Sequence, residues 1–423
     1  HTAYRRQRQM CKETDYEPPL MQVIPSACSA CESNKYEVSN MCRGCVAHPC
    51  LLTCPKGAIS MVNGKSFIDQ DKCIHCGRCK AVCPYDAIAH KERPCERACG
   101  VKAIESDEQG RASINQDKCV SCGMCMVSCP FGAISDKSQI FQLSHALREG
   151  TEIIAEIAPA YINQFGEDVT PGQFRSALKQ LGFSNIYEVA LGADIGCISE
   201  AHHYAKEVAT GHLPFLLTSC CPSWSVMAKK YFPAMIDNIS QELTPMVATA
   251  RIVKKEHPHA KVVFIGPCAS KKLEAMRHSV RSDVDFVITF EELWGLFDAK
   301  SITPSTCEEL PEETQAATAA GRGYAIAGGV AGAIENCLKE YYPDVPVHIE
   351  HAESLAECKK VLTLAKAGKL KNCMIEGMAC PGGCIGGAGT NAGFAKTSKA
   401  LKKYVDSSEP KLPSQELENL ELN

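Results

Sequence analysis

The sequence lacks the features that would place this 423-residue protein in a membrane or on a nucleic acid. It contains no apolar run of about 18 residues, so we expect no membrane-spanning helix. Its 45 Lys and Arg nearly balance its 49 Asp and Glu, and a net charge of −4 argues against a nucleic-acid polyanion as the main partner. No apolar stretch follows the basic N-terminal segment HTAYRRQRQMCK, so no secretory signal is expected.

A dinucleotide-binding fingerprint is missing as well. The glycine-rich run AGGVAG at 327–332 lacks the spacing and the strand–turn–helix context of such a site, so direct NAD chemistry is not expected in this chain. A partner subunit could still supply NAD chemistry. The hydrophobic content of 45% and charged content of 22% are those of a globular protein, and the length fits about two or three domains.

Cysteine is the residue present in excess. There are 27 cysteines, of which seventeen precede residue 130 and ten follow it. A disulfide scaffold is usually small and exported, whereas closely spaced thiols in a long chain favour metal binding. We therefore expect a metalloprotein of a reducing, cytoplasmic compartment.

Two segments of the first third are nearly superimposable. PCLLTCPKGAISMVNGKSFIDQDKCIHCGRCKAVCPYDAI begins at Pro49, and PCERACGVKAIESDEQGRASINQDKCVSCGMCMVSCPFGAI begins at Pro94. Such self-similarity indicates one supersecondary unit used twice. Each unit contains C-x2-C-x2-C-x3-C, formed by Cys73, Cys76, Cys79 and Cys83 in the first and by Cys119, Cys122, Cys125 and Cys129 in the second.

This spacing predicts 4Fe–4S clusters. Three thiolates on one tight loop can hold three corners of a cubane, while the fourth cysteine serves a neighbouring cluster. Zinc would require two C-x2-C pairs instead. In the first unit, the fourth-cysteine rule pairs Cys42, Cys45 and Cys50 with Cys83, and it pairs Cys54 with Cys73, Cys76 and Cys79. In the second unit, it pairs Cys28, Cys31 and Cys95 with Cys129, and it pairs Cys99 with Cys119, Cys122 and Cys125.

Residues 25–129 resemble the four-cluster, polyferredoxin-like electron-transfer subunits of molybdenum and formate oxidoreductases, on the motif CRGCVAHPCLLTCP. Four accessory 4Fe–4S clusters are therefore expected, which would pass single electrons. For Cys28 and Cys31 a small zinc knuckle or a pair of free thiols is the alternative. Cys11 is left over and is interpreted as a bystander.

After Asp136 the pattern becomes that of an α/β fold, with short β-branched runs alternating with longer amphipathic ones. The predicted strands are 151–159, 212–222, 261–268, 285–290, 323–329 and 372–380. The predicted helices are 171–181, 199–209, 223–230, 244–257, 330–340 and 352–368. From about Leu401 to Asn423 we expect a weakly ordered tail.

Three predicted strands end in cysteine-bearing loops, which carry Cys220 and Cys221, Cys268, and Cys380 and Cys384. Ligands of open α/β sheets bind beyond the carboxyl ends of strands, so these loops are expected to converge on one site. The glycines of CPGGCIGGAG would let the backbone approach a bulky ligand. By contrast, four isolated cysteines are interpreted as packing residues: Cys307, Cys337, Cys358 and Cys373.

The motifs TSCCPSW (218–224), PCASKKLE (267–274) and EGMACPGGCIGG (376–387) resemble the three signatures of the iron–iron (FeFe) hydrogenases, in the same order. The resemblance covers about 150–395 and implies a two-lobed α/β catalytic domain with parallel sheets flanked by helices. It divides the chain into an N-terminal arm (1–24), a duplicated ferredoxin-like α+β domain (25–136), the catalytic domain (137–395) and a C-terminal tail (396–423).

The resemblance also implies an active-site cofactor and its ligands. A 4Fe–4S cubane would be held by Cys221, Cys268, Cys380 and Cys384, with Cys384 bridging to a diiron centre that carries CO, CN and azadithiolate ligands. Lys271 would hold one cyanide. Met378 would line the diiron pocket, and the backbone of Ala158 and Pro159 would cradle the other cyanide.

Family positions imply a proton route through the thiol of Cys220, the inner acid Glu200 and the relay serine Ser240. His203 stands at the outer glutamate position and could relay protons, with Glu207 one turn later, or could be an ordinary surface histidine. Three pocket positions depart from the family: Ala160 replaces serine, Met246 replaces glutamine and Gly266 replaces methionine. These changes are expected to cost contacts with the diiron ligands.

The expected function is therefore reversible reduction of protons to H2, with ferredoxin or a similar one-electron carrier as partner and maturation proteins to supply the cofactor. A hydrogenase-like iron–sulfur assembly factor without a diiron centre is one alternative. An H2 sensor is another, although the roughly 30 residues after the last motif leave little room for a signalling domain.

Overall fold

The computed structural model describes residues 19–32, 35–311, 317–419 and 422. Cys11 and most of the expected N-terminal arm lie outside the described residues. The chain forms two compact units. We call residues 23–117 and 125–135 the cluster unit, and residues 118–124 and 136–423, together with the segment that ends at Gln22, the sheet unit. The loop 118–124, which the repeat places in the ferredoxin-like segment, thus groups with the sheet unit.

The cluster unit is built from one-turn helices and short strands, and its duplication is visible in the secondary structure. Its helices are α1 (Pro49–Leu52), α2 (Arg78–Ala81), α3 (Pro94–Arg97) and α4 (Met124–Ser128). Its strands are β1 (Gln22–Val23), β2 (Lys35–Val38), β3 (Ile59–Val62), β4 (Lys65–Ile68), β5 (Ile88–Lys91), β6 (Ile104–Ser106), β7 (Ala112–Ile114) and β8 (Ile134–Ser135). β3–β4 and β6–β7 are equivalent antiparallel hairpins, and β2 pairs with β5.

Cysteines form much of the core of this unit. The first repeat packs Cys50, Ile59, Cys79 and Ile88 together, and the second packs the equivalent residues Cys95, Ile104, Cys125 and Ile134. Since each repeat has so few apolar side chains, the space between its cysteines is a large part of its interior. The duplicated ferredoxin-like architecture predicted from the sequence is therefore confirmed.

The sheet unit contains two parallel sheets. Its strands are β9 (Ile153–Ile157), β10 (Asn185–Glu188), β11 (Phe215–Leu217), β12 (Lys261–Gly266), β13 (Phe286–Thr289), β14 (Ile349–Glu353) and β15 (Cys373–Met378). The first sheet has the order β10-β9-β12-β13 and the second has the order β11-β15-β14. Every residue of β9, β11 and β15 is buried, as expected of strands covered on both faces.

Helices cover both sheets. They are α5 (Ile140–Arg148), α6 (Pro171–Leu181), α7 (Ala190–His203), α8 (Pro222–Tyr231), α9 (Pro245–Glu256), α10 (Ala269–Ala275), α11 (Phe290–Ala299), α12 (Ala319–Gly323), α13 (Gly329–Tyr341), α14 (Leu355–Lys366) and α15 (Phe394–Ser407). A π-helical turn, Tyr204–Val208, extends α7. Short 3-10 turns lie at Pro159–Tyr161, Pro233–Asn238, Pro304–Thr306, Cys384–Gly386 and Gln415–Asn419.

Local sequence explains where these helices begin. Thr170 caps α6 through a capping box with Gln173, and Thr289 caps α11 in the same way with Glu292. The N-terminus of α13 is capped from another element. The buried carboxylate of Glu376 on β15 accepts hydrogen bonds from the backbone N–H groups of Gly328 and Ala331, at 3.0 and 3.1 Å.

The parallel α/β class predicted from the sequence is confirmed, but several element assignments are wrong. The apolar run at 323–329 is not a strand, because Gly328 adopts a φ of 82° and forms the turn between α12 and α13. Strands β10 and β14 were not predicted. The predicted weakly ordered tail begins inside α15, whose buried Leu401 anchors it to the core. In the described part of the chain, no helix is both long enough and apolar enough to cross a membrane.

Candidate active site and cluster-binding loops

A cavity lies in the sheet unit at the carboxyl ends of four strands. The loops after β11, β12 and β15 bring Cys221, Cys268, Cys380 and Cys384 to its wall. The segment after β9 contributes Ala158 and Pro159. The structure thus gathers at one site the cysteines that the sequence places at three separate strand ends, and Cys220, Lys271 and Met378 line the same cavity.

Two of these cysteines stand at helix starts. Cys221 is the N-cap residue of α8 and Cys268 is the N-cap residue of α10, both with extended backbones. Backbone N–H groups of Ala379 and Trp224 donate to the sulfur of Cys221. Such donors favour a thiolate, and hence a metal-ligating sulfur, at this position.

Glycines allow the loop after β15, which carries Cys380 and Cys384, to lie close to neighbouring backbone segments. Gly383 has a φ of 88°, and a Cβ there would lie 2.5 Å from the backbone nitrogen of Ala327. A Cβ on Gly387 would lie 2.5 Å from the carbonyl oxygen of Pro267. The glycines on either side of Cys384 therefore fix where its sulfur can be placed.

The cysteine sulfurs lie in an interior where an isolated thiolate is unfavourable. Burial raises the pKa of Cys221 to about 11 and raises the pKa of Cys380 and Cys384 as well. Cationic metal supplies the charge that such thiolates need. A set of four sulfur donors around a cavity with an apolar wall fits a cubane rather than an oxygen-loving cation.

Lys271 is buried and held by a carboxylate. Its Nζ lies 2.7 Å from Oε2 of Glu274, whose Oε1 accepts a hydrogen bond of 2.7 Å from the hydroxyl of Thr244. Burial alone would lower the pKa of Lys271, but the charge and hydrogen bond of Glu274, together with the charges of Cys268 and Cys220, outweigh burial and raise the pKa. The cavity therefore has a fixed positive charge in its wall.

Behind Cys220 lies a buried acid. Glu200 on α7 is only 5% exposed, and burial raises its pKa to about 8 against the opposing effects of hydrogen bonds from the Ser240 hydroxyl and the Ser219 backbone N–H. Burial also raises the pKa of Cys220, and the charge of Glu200 raises it further. Near neutral pH both groups carry protons.

His203 lies on the same helix as this acid, three residues later. Burial lowers the pKa of His203, and the charged groups acting on it are Glu207, His202 and Lys206. Within the described residues no hydrogen bond joins its ring to Glu200 or Ser240.

Of the three positions that depart from the family pattern, Ala160 and Met246 line the cavity. The third, Gly266, has an aromatic ring beside it. A Cβ on Gly266 would lie 2.5 Å from the ring of Phe264, which itself lines the cavity. Phe264 therefore fills the space beside Gly266. This ring belongs to the residue two positions earlier on the same strand, β12.

Sequence reasoning missed three polar groups near this site, of which Tyr324 and Glu156 are buried and Glu242 is partly exposed. Tyr324 lines the cavity, and its hydroxyl has no hydrogen-bond partner among the described residues. Both carboxylate oxygens of fully buried Glu156 are likewise unpaired in the described part. Glu242 acts on Glu200 through its charge. The only sequence signal for Tyr324 was its place at the start of an apolar run that was assigned to a strand.

In the cluster unit, two cavities are lined by the cysteine sets expected from the fourth-cysteine rule. Cys54, Cys73, Cys76 and Cys79 line one cavity, beside the ring of Tyr36. Cys28, Cys31, Cys95 and Cys129 line the other. The second set includes the two upstream cysteines whose assignment the sequence left open.

Cys28 has the same structural role in the second repeat as Cys42 in the first. The backbone N–H of Ser66 donates to the sulfur of Cys42 at 3.5 Å, and that of the equivalent residue, Ala112, donates to Cys28 at 3.4 Å. Ser66 also contacts Cys50 through its hydroxyl, at 3.3 Å from the sulfur. This correspondence favours a cubane over separate thiols at Cys28.

The fourth cysteine of every half-repeat accepts a backbone hydrogen bond from the alanine four residues later. The donor–sulfur pairs are Ala58 to Cys54 at 3.3 Å, Ala87 to Cys83 at 3.3 Å, Ala103 to Cys99 at 3.1 Å and Ala133 to Cys129 at 3.4 Å. N–H···S bonds of this kind tune the potential of iron–sulfur clusters. Cys83 packs in the core of the first repeat, and Cys99 and Cys125 pack in that of the second.

The loop of Cys119 and Cys122 packs in the sheet unit against the candidate active site. A Cβ on Gly123 would lie 2.5 Å from Ala388 and 3.3 Å from Ala269, which adjoin the loops of Cys384 and Cys268. The charge of Cys122 also acts on Cys380. Residues 118–124 therefore lie next to the candidate active site within the sheet unit.

Within the ranges that the structure describes, no three His, Cys, Asp or Glu side chains are grouped to hold a single metal ion. The four isolated cysteines are buried, as predicted for packing residues: Cys307, Cys337, Cys358 and Cys373. One of them, Cys337, contacts the buried Cys197 at a sulfur–sulfur distance of 3.0 Å.

Comparison with known families gives two matches. Residues 151–388 match the model of the iron-only hydrogenase large subunit, C-terminal domain. Residues 67–89 and 112–135 match the 4Fe–4S binding domain, and these two ranges contain the repeated C-x2-C-x2-C-x3-C motifs.

Individual relatives agree with these matches. The chain is 28% identical to iron hydrogenase 1 of Clostridium pasteurianum over 389 residues, which covers 79% of this chain and 67% of the relative. It is 30% identical to the cytosolic Fe–S cluster assembly factor NAR1 of Debaryomyces hansenii over 180 residues, covering 39% of this chain and 32% of that one. A variant of the FeFe-hydrogenase HydA1 from Chlamydomonas reinhardtii shares the fold, with a TM-score of 0.52, 21% identity, and coverage of 64% of this chain and 90% of that one.

Proposed function

Since the chain belongs to the iron-only hydrogenase family, we propose that it catalyses the reversible reduction of protons to H2. The observation that carries this proposal is the single cavity lined by Cys221, Cys268, Cys380 and Cys384 and by the additional thiol of Cys220. An assembly scaffold needs the four sulfurs alone. A proton-reducing site also needs a thiol that can deliver a proton.

The residues present fit the cofactor of this family. Cys221, Cys268, Cys380 and Cys384 would hold a 4Fe–4S cubane, and Cys384 would bridge it to a diiron centre with CO, CN and azadithiolate ligands. When bound, that centre supplies the redox chemistry that joins two protons and two electrons. Lys271 would donate a hydrogen bond to one cyanide, and Ala158, Pro159 and Met378 would enclose the other side.

The protein's own part in catalysis is the handling of protons. The Sγ of Cys220 holds a proton at the cavity wall, where burial keeps the thiol neutral. Glu200 holds the next proton and is kept neutral near pH 7 by burial. The hydroxyl of Ser240 can accept one proton while it donates another, which links Glu200 to the outside.

Electrons would arrive one at a time through the accessory 4Fe–4S clusters held by the repeated motifs. A ferredoxin or a similar one-electron carrier is the proposed partner, and maturation proteins would insert the diiron centre. A cytoplasmic location is proposed because so many thiols require a reducing compartment.

The direct test is turnover of the Cys220→Ala variant. Matured wild-type protein should evolve H2 with reduced viologen, and Cys220→Ala should keep its CO and CN infrared bands but lose at least about 100-fold in turnover, the usual range for a general acid. Cys307→Ala, a buried packing cysteine, is the matched control and should retain activity. Full activity of Cys220→Ala would refute its role in proton transfer.

An iron–sulfur assembly factor is the second candidate, favoured by the similarity to NAR1. Such a protein would hold the cubane and release or transfer iron–sulfur clusters, with no need for Cys220, Glu200 or buried Lys271. Absence of CO and CN bands after maturation, together with transfer of clusters to an apo-ferredoxin, would favour this candidate over the hydrogenase.

A further inference from the structure

The proton route proposed above needs a group that connects Ser240 with solvent, and the structure offers one that the sequence did not single out. Glu242 lies two residues after Ser240, in the segment that runs from Ile239 to the start of α9. Ile239 forms a parallel β-bridge with Leu217 of β11. Its side chain is partly exposed, whereas Ser240 and Glu200 are buried. It is therefore placed between the buried acid and water.

This segment is fixed to the loop that carries Cys220. The backbone N–H of Ser240 donates to the carbonyl of Leu217 at 2.8 Å, and the hydroxyl of Ser219 donates to the carbonyl of Glu242 at 3.4 Å. The backbone N–H of Glu242 in turn donates to Oγ of Ser240 at 3.4 Å. Glu242 consequently keeps a defined position relative to the serine and to the thiol loop.

The side chain of Glu242 contacts the turn of α7 that carries Glu200. The hydroxyl of Ser240 donates to Glu200, and the charges of Glu200 and Glu242 act on one another. The carboxylate of Glu242 accepts a hydrogen bond from Ser199, the residue before Glu200 on α7. The acid is thus tied to the same helix turn as the inner glutamate.

A histidine stabilises the Glu242 carboxylate. The charge of His202 acts on Glu242, and its Nδ1 lies 2.9 Å from the hydroxyl of Tyr342, which fixes the ring. Glu376 is the other carboxylate whose charge reaches Glu200, and Glu200 acts in turn on three titratable groups, those of Cys197, Cys220 and Tyr324. These groups define the electrostatic surroundings of both acids.

We propose that Glu242, and not His203, is the solvent-side acid of the proton relay. The inference rests on the proposed hydrogenase function. Each transfer moves one proton and no electrons. Hydronium from solvent protonates the Glu242 carboxylate and leaves water. Glu200 gives its proton to the Cys220 thiolate, Ser240 gives its hydroxyl proton to Glu200, and Ser240 Oγ takes a proton from Glu242. After the transfer, Glu242 is again a carboxylate.

The first test uses the unloaded protein with ¹³C-labelled glutamate. The negative charge of Glu242 disfavours ionisation of Glu200, and Glu242→Gln removes that charge. The pKa of Glu200 should therefore fall measurably in an NMR or infrared titration. His203→Gln should leave that titration unchanged. A pKa of Glu200 that responds to His203→Gln and not to Glu242→Gln would overturn the proposal.

The second test uses the loaded enzyme. Glu242→Gln should keep the CO and CN bands of wild type and lose about 100-fold in H2 turnover, Glu242→Asp should recover part of it, and His203→Gln should stay within about twofold of wild type. If the wild type evolves H2 and Glu242→Gln evolves it equally fast, the relay through Glu242 is overturned while the proposed function stands. A wild type with no CO or CN bands would overturn the proposed function, and the relay with it.

Discussion

Lys271 Nζ lies 2.7 Å from Glu274 Oε2, and both side chains are buried beside the candidate cubane ligand Cys268. Neither charge is accessible to water, so each depends on the other. The pKa of Glu274, which burial alone would raise, is lowered by the charge of Lys271. The pair therefore keeps a cation in the cavity wall, where the proposed cofactor needs a donor to an anionic ligand.

Breaking this pair should destabilise the protein. Lys271→Met leaves a buried carboxylate without its partner and should lower the free energy of unfolding by about 3 kcal/mol, measured by urea denaturation of the unloaded protein. Lys339→Met removes an exposed ion pair with Glu335 on α13 and should cost less than about 1 kcal/mol. If Lys271→Met lowered the free energy of unfolding no more than Lys339→Met does, Lys271 would not be required for stability.

The raised pKa of Glu200 has a consequence for stability. The native state holds this proton up to about pH 8, whereas the unfolded chain releases it near 4.5, so native stability should decline as pH rises between these values. Glu200→Gln should remove this decline. The measurement is the urea midpoint against pH, and an identical slope in both proteins would contradict the assignment.

A methyl group at position 383 should disturb cluster binding. Gly383→Ala would place a Cβ 2.5 Å from the backbone of Ala327 at a φ of 88°, so the loop that carries Cys384 must shift. We expect loss of the active-site cubane, seen as about four fewer irons per chain. Gly393→Ala, where a Cβ meets nothing within 4 Å, is the control and should bind iron as wild type does.

Cys28 offers a separate test of the cluster unit. Cys28→Ser should remove about four irons per chain and leave the other clusters detectable by EPR, because each cubane has its own ligand set. Cys307→Ser should leave iron content unchanged. Bound zinc that disappears in Cys28→Ser would support the knuckle that the sequence left open.

The sequence predicted the candidate site better than it predicted the fold around it. Cys221, Cys268 and Cys380 could be placed together because each follows a short apolar run, and parallel strands end at the same edge. Strand β14 has the sequence IEHAE, in which only Ala352 is buried, so it carries no apolar signal. The run at 323–329 is apolar because it packs at the cavity and not because it forms a strand.

The proton route shows a second limit of sequence reasoning. The role of His203, expected from a motif on one helix, stays a prediction. Glu242, which we propose instead, belongs to the segment between Ile239 and α9, and its charge acts on Glu200. Phe264 beside Gly266 is a similar case, since a side chain two residues away occupies the space. Such exchanges depend on tertiary contacts that residue spacing does not encode.

The central claim is that Cys221, Cys268, Cys380 and Cys384 hold a cubane joined to a diiron centre. The most direct measurement is the infrared spectrum, under CO, of protein produced with the maturation machinery. The account predicts CO and CN stretching bands in wild type and their loss in Cys384→Ser, with the accessory clusters retained. A fully folded, iron-loaded wild type that shows no such bands would contradict it.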